Sequence, residues 1–371
     1  MTKNIYELRN TENIITPALV YYKDLILENT KKAIAIAKSP DNLWPHVKSH
    51  KIREMIEMQL ALGITRFKCA TIAEGEMLGE ARAPKVILAY PLVGPNVDRF
   101  LTLIRSYPET EYFAIGDDLN QLRLLGEKAA AVGLTVNALV DVNVGMNRTG
   151  TLPETCVDFY VVASKLKGLK LRGFHFYDGH LGITDVGERQ KEVDAVHEKL
   201  RIIRDELKEK GYPVEIFVMG GSPEFPCHAK HENVWYSPGT VFLFDYAYES
   251  KFPDLPFVPA GIVLTRVVSH PKPGYFTLDL GHKGIGADPP GVRGKIVGID
   301  HAAHVSQSEE HWVFQVEEGF EDEIPPVGSL QYVIPTHICP TSALYPSVLV
   351  AENGEITDEW VVAARNRKIT V

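Results

Sequence analysis

Cysteine is scarce: Cys69, Cys156, Cys227 and Cys339 are spread along 371 residues with no close pair. A secreted disulfide scaffold would carry many paired cysteines, and a zinc knuckle would carry them two apart, so neither fits. No stretch approaches the roughly 18 uncharged apolar residues that a bilayer span needs. The first residues, MTKNIYELRNTENI, have neither the positive start nor the apolar centre of a signal peptide. Long basic runs are missing too, and 48 acidic residues outweigh 39 Lys and Arg for a formal net charge of −9. Nucleic acid or an anionic membrane would favour the opposite balance. The expectation is a soluble cytoplasmic protein with a small-molecule partner, stabilised by core packing and by a partner subunit.

What the chain does have is apolar substance. With 45% hydrophobic residues it can bury a large core, and its length suits one large domain plus a smaller one. Between about residues 40 and 245, short apolar runs alternate with amphipathic segments. The runs are LWPHVK (43–48), TRFKCAT (65–71), KVILAY (85–90), TEYFAI (110–115), TVNALVDV (135–142), LKLRGFHFY (169–177) and VEIFVMG (214–220). Helix-like stretches such as 52–63, 72–83, 119–133 and 188–211 separate them, several ending in glycine. This alternation predicts parallel strands with helical crossovers, and its count suits a (β/α)8 TIM-like barrel better than an open sheet. After about Tyr246, proline, glycine and β-branched runs predict a mostly-β domain. The expected division is an α/β barrel over 20–245 and a β-rich domain over 246–371 together with 1–19. The segment 15–22 is strand-like and could pair into either domain.

Five motifs carry chemistry. Lys48, in Pro45-His46-Val47-Lys48-Ser49-His50-Lys51, falls at the expected C-terminal end of the first barrel strand, where barrel active sites lie. Neighbouring cations would lower its amine pKa, as a carbonyl-binding lysine requires, although a solvated basic loop is the competing reading. Gly220-Gly221-Ser222 follows an apolar strand, and glycine there lets backbone N–H groups approach a phosphate; an ordinary tight turn is the alternative. Ser237-Pro238-Gly239-Thr240 could supply the remaining donors. Arg148, between Gly145 and Gly150, is placed to reach a cofactor oxygen, or to sit as a surface arginine. In Gly173–His180, strand alternation puts His175 and Tyr177 on one face and Phe174 and Phe176 on the other. Tyr177 could then meet a planar ring, and His180 has the intrinsic pKa for proton transfer. A core tyrosine and a structural histidine are the plainer reading. Finally, His337 and Cys339 would point the same way from an extended segment, a soft pair suited to zinc with positions left open. A buried cysteine beside an unrelated histidine is the alternative.

PHVKSHK (45–51), NVGMNRTG (143–150), GGS (220–222), SPGT (237–240) and HICPT (337–341) stand in the order of a known group. The chain resembles the D-threonine aldolase and D-serine dehydratase group of fold-type III pyridoxal-phosphate enzymes, relatives of alanine racemase, over nearly its whole length. The resemblance implies that Lys48 carries pyridoxal phosphate and Arg148 meets the ring's phenolic oxygen. By the same resemblance Tyr177 faces the ring, and Gly221, Ser222, Gly239 and Thr240 hold the phosphate. His337 and Cys339 would bind a divalent metal (Zn, Mn or Mg), and His180 stands near a proposed base. One departure weakens a racemase reading: Ser237 stands where racemases carry an arginine facing the pyridine nitrogen. The implied activity is cleavage of D-3-hydroxy amino acids to glycine and an aldehyde. The alternative is a D-serine or 3-hydroxyaspartate dehydratase giving a 2-oxo acid and ammonia. A non-catalytic cofactor carrier is a remote reading, as is a cofactor-free metal hydrolase. A homodimer is expected by analogy with fold-type III barrels.

Overall fold

The computed structural model describes residues 4–371, which form two compact units. One unit takes 33–48, 53–239 and 366–371; the other takes 4–32, 49–52 and 240–365. Strand β1 (Ala18–Tyr22) and helix α1 (Lys23–Ala37) open the chain, and α2 (Arg53–Ala61) leads into the barrel unit. Its parallel sheet runs in chain order through β2 (Arg66–Cys69), β3 (Lys85–Leu88), β4 (Glu111–Gly116), β5 (Val136–Val142), β6 (Leu169–Phe176), β7 (Ile216–Met219) and β8 (Trp235–Tyr236). Helices α3 (Ile72–Glu80), α4 (Asn96–Ser106), α5 (Leu119–Ala131), α6 (Cys156–Ala163) and α7 (Val186–Glu209) make the crossovers, and the short α8 (Phe225–His228) follows β7.

The expected first barrel strand, 43–48, forms no ladder. Pro45 has no N–H to give, and the segment shrinks to single parallel bridges, Leu43 with Tyr236 on one side and His46 with Lys68 on the other. The Trp44 amide donates to the Tyr236 carbonyl at 2.6 Å and the Lys68 amide to the Pro45 carbonyl at 2.7 Å. The segment thus touches both ends of the seven-stranded sheet. Val47–Ser49 then curls into a 3-10 turn that carries Lys48.

The interior is filled by Trp44, Ile87, Phe113, Ile115, Leu139, Ile216 and Val218, which form one buried cluster. The Trp44 indole N–H is satisfied by the Phe67 carbonyl at 2.6 Å. Between β5 and β6 the register slips, Ala138 facing Leu171 and Leu139 facing Gly173, so Arg172 is an extra residue. Gly173 has φ +154, and a Cβ there would lie 1.8 Å from the Ile216 carbonyl oxygen on β7. Only glycine allows that approach. Gly173→Ala is expected to cost about 3 kcal/mol in denaturant unfolding; an unchanged midpoint would contradict it.

The other unit holds α9 (Tyr246–Lys251), β9 (Gly261–Ser269), β10 (Tyr275–Leu278), β11 (Gly294–Ile296), β12 (Ala302–Gln307), β13 (Trp312–Val316), β14 (Leu330–Pro335), α10 (Ile338–Leu344), β15 (Ser347–Glu352) and β16 (Glu355–Val361). Here β1 finds its place, antiparallel to β9 and parallel to β15. Strand β9 is also paired by β10 and β14, so it centres the nine-stranded sheet.

Candidate active site

In the barrel unit, β6 ends at Phe176 and delivers Tyr177, whose ring lies among cations. Lys48 Nζ is 5.9 Å from the ring centroid, Lys68 Nζ 5.2 Å and the Arg148 guanidinium carbon 5.0 Å. The in-register pair Asp141 and His175 lies beside them, with His175 Nδ1 2.7 Å from Asp141 Oδ1. Burial raises Asp141, but the His175 hydrogen bond and charge, Thr149 and Arg148 outweigh it and hold the carboxyl below its ordinary value. Asp141 is therefore ionised and accepts the Nδ1 proton. His175 Nε2 is left as an acceptor 3.5 Å from Lys68 Nζ.

Lys68 is almost fully buried and donates to Ser237 Oγ at 2.5 Å. Burial, then the charges of Lys48 and Arg148, press it down to about 7 against the pull of Asp141 and Asp178. Sequence reading passed over Lys68, although a lysine inside the apolar run TRFKCAT is a signal: such a residue is buried only when it has partners.

After β7, Gly220 takes a left-handed φ of +81, and Ser222 is buried with its Oγ accepting the Gly239 amide at 3.4 Å. A Cβ on Gly221 would stand 2.8 Å from Glu224 Oε2 and 3.2 Å from the Gly179 Cα, so the loop packs against the turn that follows Tyr177. That turn contains Asp178, fully buried, with Oδ2 2.6 Å from His228 Nε2; His228 Nδ1 in turn meets His197 Nε2 at 2.9 Å. Burial raises Asp178, but His228 overrides it and the carboxyl stays ionised below its ordinary value. His180 is exposed, its Nε2 2.7 Å from where a Cβ on Gly145 would stand. Asp178 lies inside the stretch Gly173–His180 but was given no role, and His228 and Glu224 had no motif to mark them.

The β unit carries the other pair. His337 caps α10 with an extended backbone (φ −136, ψ 105), and Cys339 lies inside the first helical turn. The extended segment expected from sequence is thus a helix start, where Pro340 is tolerated and Asp245 Oδ2 accepts the Ile338 amide at 3.2 Å. The two side chains still meet. Burial lowers His337, but its hydrogen bond to Cys339 and the charges of Cys339, Asp245 and Asp288 lift it to about 9. Burial raises Cys339, and His337 with the hydroxyls of Ser49 and Thr240 brings it below its ordinary value. Those hydroxyls stand 3.2 and 3.5 Å from Sγ, and their residues follow Lys48 and Gly239 in the chain. His337 Nδ1 is 3.1 Å from Asp288 Oδ2, the kind of carboxylate support that orients a metal-binding imidazole. Among the described residues, no group of three or more His, Cys, Asp or Glu is set to hold a metal ion, so a cation here would rest on two protein donors and keep open positions.

Comparison with known proteins places this geometry. Residues 23–247 match the alanine racemase N-terminal domain and residues 260–351 a putative serine dehydratase domain. The chain belongs to the alanine racemase N-terminal domain family, within the fold-type III pyridoxal-phosphate enzymes, and it is an enzyme with that cofactor. It is 27% identical to D-threonine aldolase of Arthrobacter sp, across 94% of this chain and 92% of that protein. The crystal structure of D-threonine aldolase from Filomicrobium marinum superposes with a TM-score of 0.88 at 25% identity, over 98% of each chain. D-threo-3-hydroxyaspartate dehydratase from Delftia sp. HT23 shares the fold at a TM-score of 0.84 and 18% identity, over 94% of this chain and 97% of that one. A cysteine-to-alanine variant of a D-threo-3-hydroxyaspartate dehydratase has been described in a metal-free form. No helix among the described residues is long and apolar enough to cross a membrane.

Proposed function

We propose that the protein is a pyridoxal-phosphate lyase that needs a divalent metal and cleaves D-3-hydroxy amino acids in the manner of D-threonine aldolase. The observation that carries the reading is the cluster at Tyr177: a flat ring, an amine on the turn after the first barrel segment, and two further cations. Those residues fit a planar, anionic cofactor. Lys48 would bind its aldehyde carbon and Arg148 its phenolic oxygen, with Tyr177 against the ring. The amides and hydroxyls of Gly221, Ser222, Gly239 and Thr240 would take its phosphate. Bound there, pyridoxal phosphate supplies an electron sink for the pair left on the substrate's Cα. His337 and Cys339 would hold the cation, which supplies a Lewis acid for the β-hydroxyl.

The chain's own groups then have these tasks. His180, exposed beside Gly145, accepts the β-hydroxyl proton at a ring nitrogen. The Cα–Cβ bond breaks, the hydroxyl oxygen becomes the aldehyde oxygen, and Cα takes a proton to give glycine. Lys68, His175 and Asp141 hold Tyr177's surroundings fixed. A dehydratase would use the same residues but break the Cα–H and Cβ–O bonds. The aldolase is favoured because the aldolase relatives are the more similar in sequence, whereas the dehydratase shares the fold alone.

Incubation with D-threonine is expected to give glycine and acetaldehyde in equal amounts, and D-serine little pyruvate. Pyruvate and ammonia from D-serine, with D-threonine uncleaved, would replace the aldolase by the dehydratase. No product from either would remove both.

A further inference from the structure

Beside the loop 220–222 the barrel unit buries an acid with no task so far. Glu224 is fully buried, and among the described residues neither carboxyl oxygen has a partner at full hydrogen-bond geometry, although the amides of Gly221 and Glu224 lie near. A buried polar atom left in that state is costly and requires an explanation. The carboxyl faces the loop, since its Oε2 stands 2.8 Å from the Cβ position of Gly221. The charged and polar groups around it come from every element packed there. Asp178 lies on the turn after β6, Arg189 on α7, and the amides of Gly221 and Glu224 on the loop itself. His228 and His180 act on Asp178, and His197 bonds to His228.

Arg189 and the amides of Gly221 and Glu224 favour a charge on Glu224, but burial and Asp178 outweigh them. Asp178 is already ionised against His228, and Arg189 donates to the carbonyls of Ile183 and Thr184 at 2.8 and 3.3 Å. Burial, then the charge of Asp178, hold Glu224 well above the ordinary carboxyl range, against the two amides and Arg189. A carboxylate here would face Asp178 on one side and a phosphate on the loop on the other, in a medium that screens poorly.

We infer that Glu224 is a proton-bearing floor under the phosphate loop, so that a phosphate monoester binds over its acid form and is rejected by its carboxylate. The inference rests on the loop's proposed role as the phosphate site. Glu224 acts through the loop and is a positioning residue, so the readout is binding across pH rather than turnover. The neutral amide of Gln copies the acid form in shape and charge. Glu224→Gln therefore binds phosphate equally at low pH and better once the wild-type acid ionises.

The test uses the full-length protein freed of cofactor, with pyridoxine 5′-phosphate as the probe and pyridoxine as the control that lacks the phosphate. Pyridoxine phosphate has no aldehyde, so Lys48 chemistry does not enter. Affinity is measured from about pH 5.5 to about pH 10 for wild type and Glu224→Gln, with melting temperatures to confirm folding. Taking the ratio of the two affinities cancels titration of the probe and of groups common to both proteins, Lys68 among them. The ratio is expected to rise from near one to at least about tenfold in favour of Gln. A constant ratio overturns the inference, as does a folded Glu224→Gln protein that has lost the probe at low pH. Should that variant not fold, Glu224→Ala takes its place in the ratio, with the same rise expected and a constant ratio again refuting the inference. A wild type that binds both probes equally at every pH refutes the loop's phosphate role instead, and the inference falls with it.

Discussion

Replacing Lys48 by alanine is expected to abolish the visible absorption of lysine-bound cofactor and to cut turnover by at least about three orders of magnitude. The reasoning is geometric. Lys48 is half-buried on the turn Val47–Ser49, where Pro45 has ended the first barrel segment and both sheet edges have been met. Its amine shares the Tyr177 ring with Lys68 and Arg148, so the three positive groups surround one flat surface. The nucleophile of an amine–carbonyl reaction is an amine presented at the carbonyl, and Lys48 holds its amine beside the ring that the cofactor would face. Lys68 is no substitute anchor, because its amine is buried and committed to Ser237, with His175 Nε2 beside it. A folded Lys48→Ala enzyme that keeps its colour and most of its rate would refute the assignment. Spectrum and rate are read together, since a loss of rate alone would follow from many defects.

The second large effect concerns the β unit. His337→Ala, Cys339→Ala and treatment with a chelator are each expected to lower turnover at least about a hundredfold while the cofactor's absorption stays. The two groups need only about one proton between them, an imidazole raised and a thiol lowered by mutual contact, and a cation takes the place of that proton. Metal analysis should find about one cation per chain in the wild type and less in each variant. Full activity in chelator, or unchanged metal content in both variants, would contradict the proposed pair. Asp288→Ala leaves both donors in place but frees the His337 ring, and about a tenfold weaker metal affinity is expected from it.

Much of the fold was legible because the strands of the barrel unit are short, apolar and regularly spaced by helices. The runs read at 85–90, 110–115 and 135–142 enclose β3, β4 and β5. The first segment was read as a strand because LWPHVK is apolar, yet Pro45 reduces it to two bridges, an outcome that depends on neighbours no local pattern contains. The strand at 15–22 was left between two domains because pairing partners more than two hundred residues away decide it. His337 and Cys339 were read as extended, and they begin a helix instead, since Asp245 accepts the Ile338 amide from another part of the chain.

The site was legible where chemistry leaves a local mark. Glycine before a serine after a strand, a lysine between histidines and an arginine between glycines can all be seen in a few residues. His175 and Tyr177 were placed on one face by alternation, and their rings do lie parallel, 6.4 Å apart. Lys68, His228 and Glu224 form no motif, and Asp178 stood within Gly173–His180 without a role. Their roles come from which charges meet after folding, and a buried acid reads in sequence like any surface glutamate. Lys68 alone left a trace, as a cation within an apolar strand.

The most direct test of the account is where the cofactor is attached. Borohydride reduction of the yellow enzyme followed by peptide mapping should place the pyridoxyl group on Lys48. Finding it on Lys51 or Lys68 would contradict the account.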